Sequence, residues 1–330
     1  MADDIITNVY PVCAIENLLI ANFQKGNDEK DRSHRKDLLT KARQALNNSL
    51  DTGYRSIEKM RKPHSEKKGV CVLYTGGTAG MIHDSDSLEL IQANLWQLIP
   101  KLPRLKREPF DIDFYSFEKP LDSSNISSGH WLVMAAVVEI LKDKYQGFVI
   151  IHGTNTMAYS AAALSFLLDN VDRPIIFTGS ELGLTELNTD AEQNIQRSVE
   201  TAAYYSRHEE NVRDVCILFG RKLIRGNRST KQIALDTTEG FYSPNYPELA
   251  SISNDRVVID SSWLKFNKQK IDDHESAISA NYSMASEPRI VICDIYPDMD
   301  MEIFNSTCLN FKGNPPALLG DSQCLTFTEI

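Results

Sequence analysis

The chain has 330 residues, of which 42% are hydrophobic and 24% charged, with a net charge of −10 and an isoelectric point near 5.3. That is long enough for two domains, since single cores rarely grow past ~250–300 residues, and the balance is that of a soluble globular protein. The acidic excess argues against a nucleic-acid partner, which wants clustered Lys and Arg, and no apolar run approaches the ~20 residues that span a bilayer.

Residues 1–67 come first and read as an extension without chemistry. The opening Met-Ala-Asp-Asp has no basic stretch followed by a long apolar run, so no secretory signal is expected and a cytoplasmic location is. Gln24 to Lys36 is a dense mixed-charge run, after which Leu38, Leu39, Ala42, Ala45, Leu46 and Leu50 fall at helical spacing. The six cysteines (Cys13, Cys71, Cys216, Cys293, Cys308 and Cys324) form no CxxC pair and have no histidine at zinc spacing, so reduced thiols are expected.

From Gly69 a repeated grammar sets in. The apolar run Gly69–Tyr74 ends in Thr75-Gly-Gly-Thr-Ala-Gly80, and Phe148–Ile151 ends in His152-Gly-Thr-Asn-Thr-Met157. Pro174–Phe177 ends in Thr178-Gly-Ser180, and Val215–Phe219 in Gly220-Arg-Lys. Between them the spacing predicts helices over Trp131–Leu141, Met157–Leu168 and Asp190–Tyr205. Strands alternating with helices mean βαβ units and a mostly parallel sheet. Ligands of such sheets bind beyond the carboxyl ends of the strands, where these polar clusters lie. Trp263–Ser286 is polar and reads as a connection. Ile290–Asp294 then starts a further strand with 36 residues left, too few for a full second α/β domain.

Each cluster has a chemical and a plain reading. In Thr75-Gly-Gly-Thr78, adjacent glycines permit a tight turn that exposes N–H groups, and a threonine hydroxyl there can serve as nucleophile once its proton is taken. A phosphate loop is a poor fit, because a GxGxxG pattern needs glycine where Thr75 stands and no Gly-Lys-Ser/Thr follows. His152-Gly-Thr-Asn-Thr-Met157 opens a helix, so its hydroxyls can cap it or face a carboxylate; His152 reads as packed rather than basic. Arg225-Gly-Asn-Arg-Ser-Thr-Lys231 is either a solvated basic turn or the source of a lysine that relays a threonine proton. Leu121-Asp-Ser-Ser124 can hold a small zwitterion, with the carboxylate on its amine and the hydroxyls on its carboxylate.

Taken in order, Tyr74-Thr-Gly-Gly-Thr-Ala-Gly-Met81, Asp122-Ser-Ser124, His152-Gly-Thr-Asn-Thr-Met157, Thr178-Gly-Ser180 and Arg225-Gly-Asn-Arg-Ser-Thr-Lys231 form a specific series. With Ala162-Ala-Leu-Ser-Phe-Leu-Leu168 and Ser243-Pro-Asn245, this series resembles the cytosolic (type I) L-asparaginases. The likeness runs from about Gly69 to Ala250, with a fainter trace at Ile290 to Phe304. It implies an N-terminal α/β domain with a parallel sheet flanked by helices over 68–262, and a linker over 263–286. An incomplete second α/β domain would follow over 287–330. It implies L-asparagine as substrate, no metal or organic cofactor, no nucleic acid or membrane, and assembly as a homo-oligomer. Thr78 would be the nucleophile, forming an acyl-enzyme and releasing ammonia. Thr154, Asn155 and Lys231 would form a second group that positions or activates the attacker. Asp122, Ser123 and Ser124, with Gly77, Thr154 and Asn155, would bind the substrate, and N–H groups near Gly77 and Thr78 would face the oxyanion.

Three departures bear on that expectation. The family has aspartate where this chain has Asn155, which keeps the shape and loses the charge. Glu181 brings a new charge close by, and whether it compensates is a question the sequence leaves open. No tyrosine lies between Tyr74 and Tyr115 to act as a lid. A catalytically impaired homologue that binds an amino acid or a protein is therefore the alternative function, and preference between asparagine and glutamine stays open.

Overall fold

The computed structural model describes residues 6–11, 40–41, 44, 69–83, 89–204, 212–232, 240–253, 256–259, 279–280, 318–319 and 324–325. Nine strands form one sheet: β1 (Ile6–Pro11), β2 (Gly69–Gly76), β3 (Ile112–Leu121), β4 (Tyr145–Ile151), β5 (Ile175–Thr178), β6 (Val215–Phe219), β7 (Lys222–Arg225), β8 (Ala250–Ser253) and β9 (Arg256–Ile259). Across the sheet they run β1-β3-β2-β4-β5-β6-β7-β8-β9. The first six in that row are parallel, and β6 to β9 continue as antiparallel neighbours.

Three helices carry the parallel connections: α1 (Ser128–Leu141), α2 (Met157–Leu167) and α3 (Ala191–Tyr204). α1 starts three residues before the expected Trp131, because Ser127 and His130 cap each other; the Ser127 N–H donates to His130 Nδ1 at 3.0 Å. From Leu132 to Val138 every residue is apolar and buried, so α1 is enclosed on all sides. It links β3 to β4 across β2, which makes the neighbourhood of β2 the point where strand order reverses.

The period-2 rule sorts the core. Cys71, Leu73, Tyr115, Phe117, Phe148, Ile150 and Phe177 face α1 and α2. Val70, Val72, Tyr74, Phe114, Val149, Ile151 and Ile176 face α3 and the apolar turns from Leu95 to Leu105. Both faces are covered, which is why these strands read as unbroken apolar runs.

The strands expected from Gly69, Phe148, Pro174 and Val215 are β2, β4, β5 and β6, and the three expected helices are α1 to α3. Five strands of the sheet were not anticipated: β1, β3 and the antiparallel β7, β8 and β9. β3 carries a buried charge, Asp113, which interrupts its apolar pattern. β1 lies in the segment read as an extension, yet it pairs in parallel with β3 as the edge of the same sheet, Val9 opposite Phe114 and Pro11 opposite Ser116. Proline is tolerated on an edge strand, where one side needs no N–H.

Residues 1–285 form one compact unit and 286–330 a second. In the second, the described residues are a two-stranded pair, Leu318–Leu319 with Cys324–Leu325. The strand expected at Ile290–Asp294 and the charged run at Gln24–Lys36 lie outside the described residues. So does the helix expected over Lys36–Leu50, apart from Thr40, Lys41 and Gln44, which are helical. Cys71 and Cys216 are free and buried, which pushes both thiols up. No helix among the described residues is long and apolar enough to cross a membrane.

Candidate active site

At the end of β2 the chain turns on Gly76 and Gly77, whose φ angles are 120° and 92°. These values lie in the left-handed region that glycine alone enters without cost. Thr78 then opens a short 3-10 turn, Thr78–Gly80, and is half-buried. The turn is fixed on several sides. Ala93 N–H donates to Gly80 O at 2.8 Å, Leu184 N–H to Ala79 O at 3.2 Å, and the buried Tyr74 hydroxyl to Ala93 O at 3.1 Å.

At the end of β4, Gly153 backs directly onto Gly77. A Cβ at Gly77 would lie 2.4 Å from the Gly153 Cα, and one at Gly153 would lie 2.6 Å from Ser123 Oγ. Three loops, from the ends of β2, β3 and β4, thus meet with no room for a side chain between them. Thr75 ties β2 to β4 below that point, donating to Ile151 O at 3.0 Å. Thr156 ties β4 to the β3 loop, donating to Ser123 O at 2.7 Å. Thr78 and Thr154 each follow one of the touching glycines in the sequence.

The β3 loop is a 3-10 turn, Ser123–Asn125, capped by Asp122, whose Oδ1 accepts the Ser124 N–H at 2.8 Å. Asp122 and Ser124 are exposed. Ser123 is buried with its hydroxyl against Gly153. Gly77, expected among the substrate contacts, has both backbone groups bonded within the protein. Its N–H donates to Leu121 O at 3.1 Å and its carbonyl accepts Gly80 N–H at 3.0 Å. That takes the Gly77 N–H out of the candidate oxyanion donors.

Lys231 comes from the segment that follows β7. It lies on a short strand, Thr230–Lys231, paired with Phe241–Tyr242. Its Nζ donates to Thr154 Oγ1 at 2.7 Å and to Asn155 Oδ1 at 3.1 Å, and Glu181 Oε1 is 3.8 Å away. Thr154 is buried and Asn155 exposed. Arg225 and Arg228, which share the motif with Lys231, are used otherwise. Arg225 pairs with Asp214 at 2.7 Å, and both guanidiniums lie over the Tyr246 ring, at 5.1 and 5.5 Å.

His152 is fully buried edge-on to Phe177, with Nδ1 on Gly153 O at 2.8 Å. Burial pushes its pKa down to about 4, against a smaller upward pull from the Gly153 carbonyl. It is a neutral packed residue near neutral pH. Asp190, just before α3, had no expected role. Its carboxylate accepts the N–H groups of Glu181 and Leu182, each at 3.1 Å, and so shapes the loop after β5. Its only signal in the sequence is an acidic residue at a helix start, which is too common to single out. No cluster of metal-ligating side chains occurs among the described residues.

Known proteins resemble this chain in sequence and fold. A family model described as Asparaginase, N-terminal, matches residues 69–265. L-asparaginase 1 of Escherichia coli (strain K12) is 38% identical over 185 residues, which are 56% of this chain and 53% of that protein. The L-asparaginase of Dirofilaria immitis is 33% identical over 223 residues, 59% of this chain and 37% of that protein. Among solved structures, L-asparaginase I from Vibrio cholerae matches with a TM-score of 0.60 at 30% identity, covering 74% of this chain and 69% of that one. The chain spans about half the length of the curated E. coli relative it matches.

Proposed function

We propose that this chain, which belongs to the asparaginase family, hydrolyses the side-chain amide of L-asparagine to L-aspartate and ammonia. In this reading Thr78 attacks the amide carbon, ammonia leaves, and water frees aspartate from the acyl-enzyme. Lys231 steers protons through Thr154, with Asn155 as the other acceptor on its ammonium. Asp122 takes the substrate's α-amino group and Ser124 its carboxylate, while Ser123 braces the loop. The Thr78 N–H faces the developing oxyanion, where one donor is worth ~3–4 kcal/mol. None of these steps calls for a metal or an organic cofactor.

The observation that carries the reading is the 2.7 Å bond from Lys231 to Thr154, which follows Gly153, the glycine packed on Gly77 just before Thr78. A lysine on a buried hydroxyl, 77 residues distant in sequence, is a costly arrangement for packing alone. Ammonia release from L-asparagine by the purified chain tests the reading. Thr78→Ala is expected to abolish it, and full activity in that variant would remove Thr78 as nucleophile.

Asn155 favours a second reading, in which the site binds an amino acid without turning it over. That reading expects L-aspartate at millimolar concentration to raise the melting temperature of a chain that releases no ammonia. An unshifted melting temperature sinks it.

A further inference from the structure

Resting on the asparaginase reading above, we infer that Glu181 is the counter-charge of Lys231, supplying from the loop after β5 the carboxylate that position 155 lacks. It is a positioning residue, acting on the reaction through the lysine. Lys231 has three ammonium protons, and its two nearest acceptors, Thr154 Oγ1 and Asn155 Oδ1, are neutral. Glu181 Oε1 completes the set at 3.8 Å, and among the described residues it is the carboxylate paired with this lysine.

Several features aim Glu181 there. Its own N–H and that of Leu182 are both held by the Asp190 carboxylate at 3.1 Å, and Ser180 Oγ donates to Leu182 O at 2.6 Å. Asp190 is itself tied to Asn194 Nδ2 at 3.1 Å, so the loop is anchored on the first turn of α3. The hairpin that carries Lys231 also makes room for the carboxylate. Gln232 N–H donates to Gly240 O at 2.9 Å, and a Cβ on Gly240 would come 3.3 Å from Glu181 Oε1. The two side chains are 32% and 27% exposed. An ion pair that open contributes modestly to stability, enough for a small but readable shift in melting temperature. Its effect lies in holding the ammonium's charge and direction against Thr154.

The same four-variant set tests the assignment and separates it from the function. In thermal unfolding of the full chain, E181Q lowers the melting temperature less in the K231M background than alone. This coupling needs no substrate, and strictly additive shifts overturn the proposal. In ammonia release, E181Q lowers kcat about tenfold with KM within about twofold, and E181Q/N155D returns kcat to within about threefold of the parent. A rise in KM alone would mean that Glu181 meets the substrate's ammonium instead, and it overturns the proposal, as does failure of N155D to rescue. Coupling in a chain that releases no ammonia upholds the pairing and removes asparagine as substrate.

Discussion

At the scale of single residues, the candidate site gathers threonines and a lysine around glycines with no room for a side chain. Gly153 is the sharpest case, with Gly77 on one side and Ser123 on the other. Gly153→Ala is expected to destabilise the protein by ~1–3 kcal/mol through overpacking and to lower kcat without touching a reacting group. Urea unfolding and ammonia release check it together, and loss of neither means that the loops relax apart. The meeting of Lys231 with Thr154 and Asn155 was foreshadowed by motifs that place hydroxyl, amide and ammonium groups at strand ends. Asp190 was not, since its contribution is two backbone bonds to a loop nine residues back. Gly77 shows the converse. Its type and place suggested an N–H donor to substrate, but the turn that needed a glycine also consumed the donor.

At the scale of elements, strands built only of apolar residues announced themselves and strands with polar business did not. β3 holds Asp113, which accepts from the Tyr145 hydroxyl on β4 and pairs with Lys144 at 3.3 Å, while Tyr115 bonds Tyr145 at 2.9 Å. Burial, then Asp113, push the Tyr145 hydroxyl far up, so it stays protonated and donates. Tyr145→Phe removes a buried donor from Asp113 Oδ2, the oxygen that Lys144 also meets. A loss of ~1–3 kcal/mol is expected, read as a lower urea midpoint with an unchanged slope. An unchanged midpoint would show that Lys144 and solvent already satisfy Asp113. Helices fared better because their ends are coded locally, as the pairing of Ser127 with His130 at the start of α1 illustrates.

For the whole molecule, two groups set opposite pH trends. His152 is lowered from 6.5 to about 4, so between those values the unfolded chain binds the proton and the folded one does not. Its stability contribution is present above pH 6.5 and lost as pH falls. Glu108 is raised from 4.5 to about 7, by burial first and then by the neighbouring Glu200. Its contribution is present below pH 4.5 and lost as pH rises through 7. Relative to the parent, His152→Asn is therefore expected to gain stability as pH falls from 6.5 to about 4, and Glu108→Gln to gain it as pH rises from 4.5 to about 7. Urea midpoints across that range read both trends, and curves parallel to the parent's would exclude them. The strand order also fixes a timetable for synthesis. Among the described strands of the sheet β1 is made before the others, yet its partner among the described residues is β3, which begins only at Ile112. At ~5–20 residues per second on the ribosome, the newborn edge strand spends seconds unmatched. Once β3 is made it meets β1 and β2 together, so this edge of the sheet can close before β4, β5 and β6 have been synthesised.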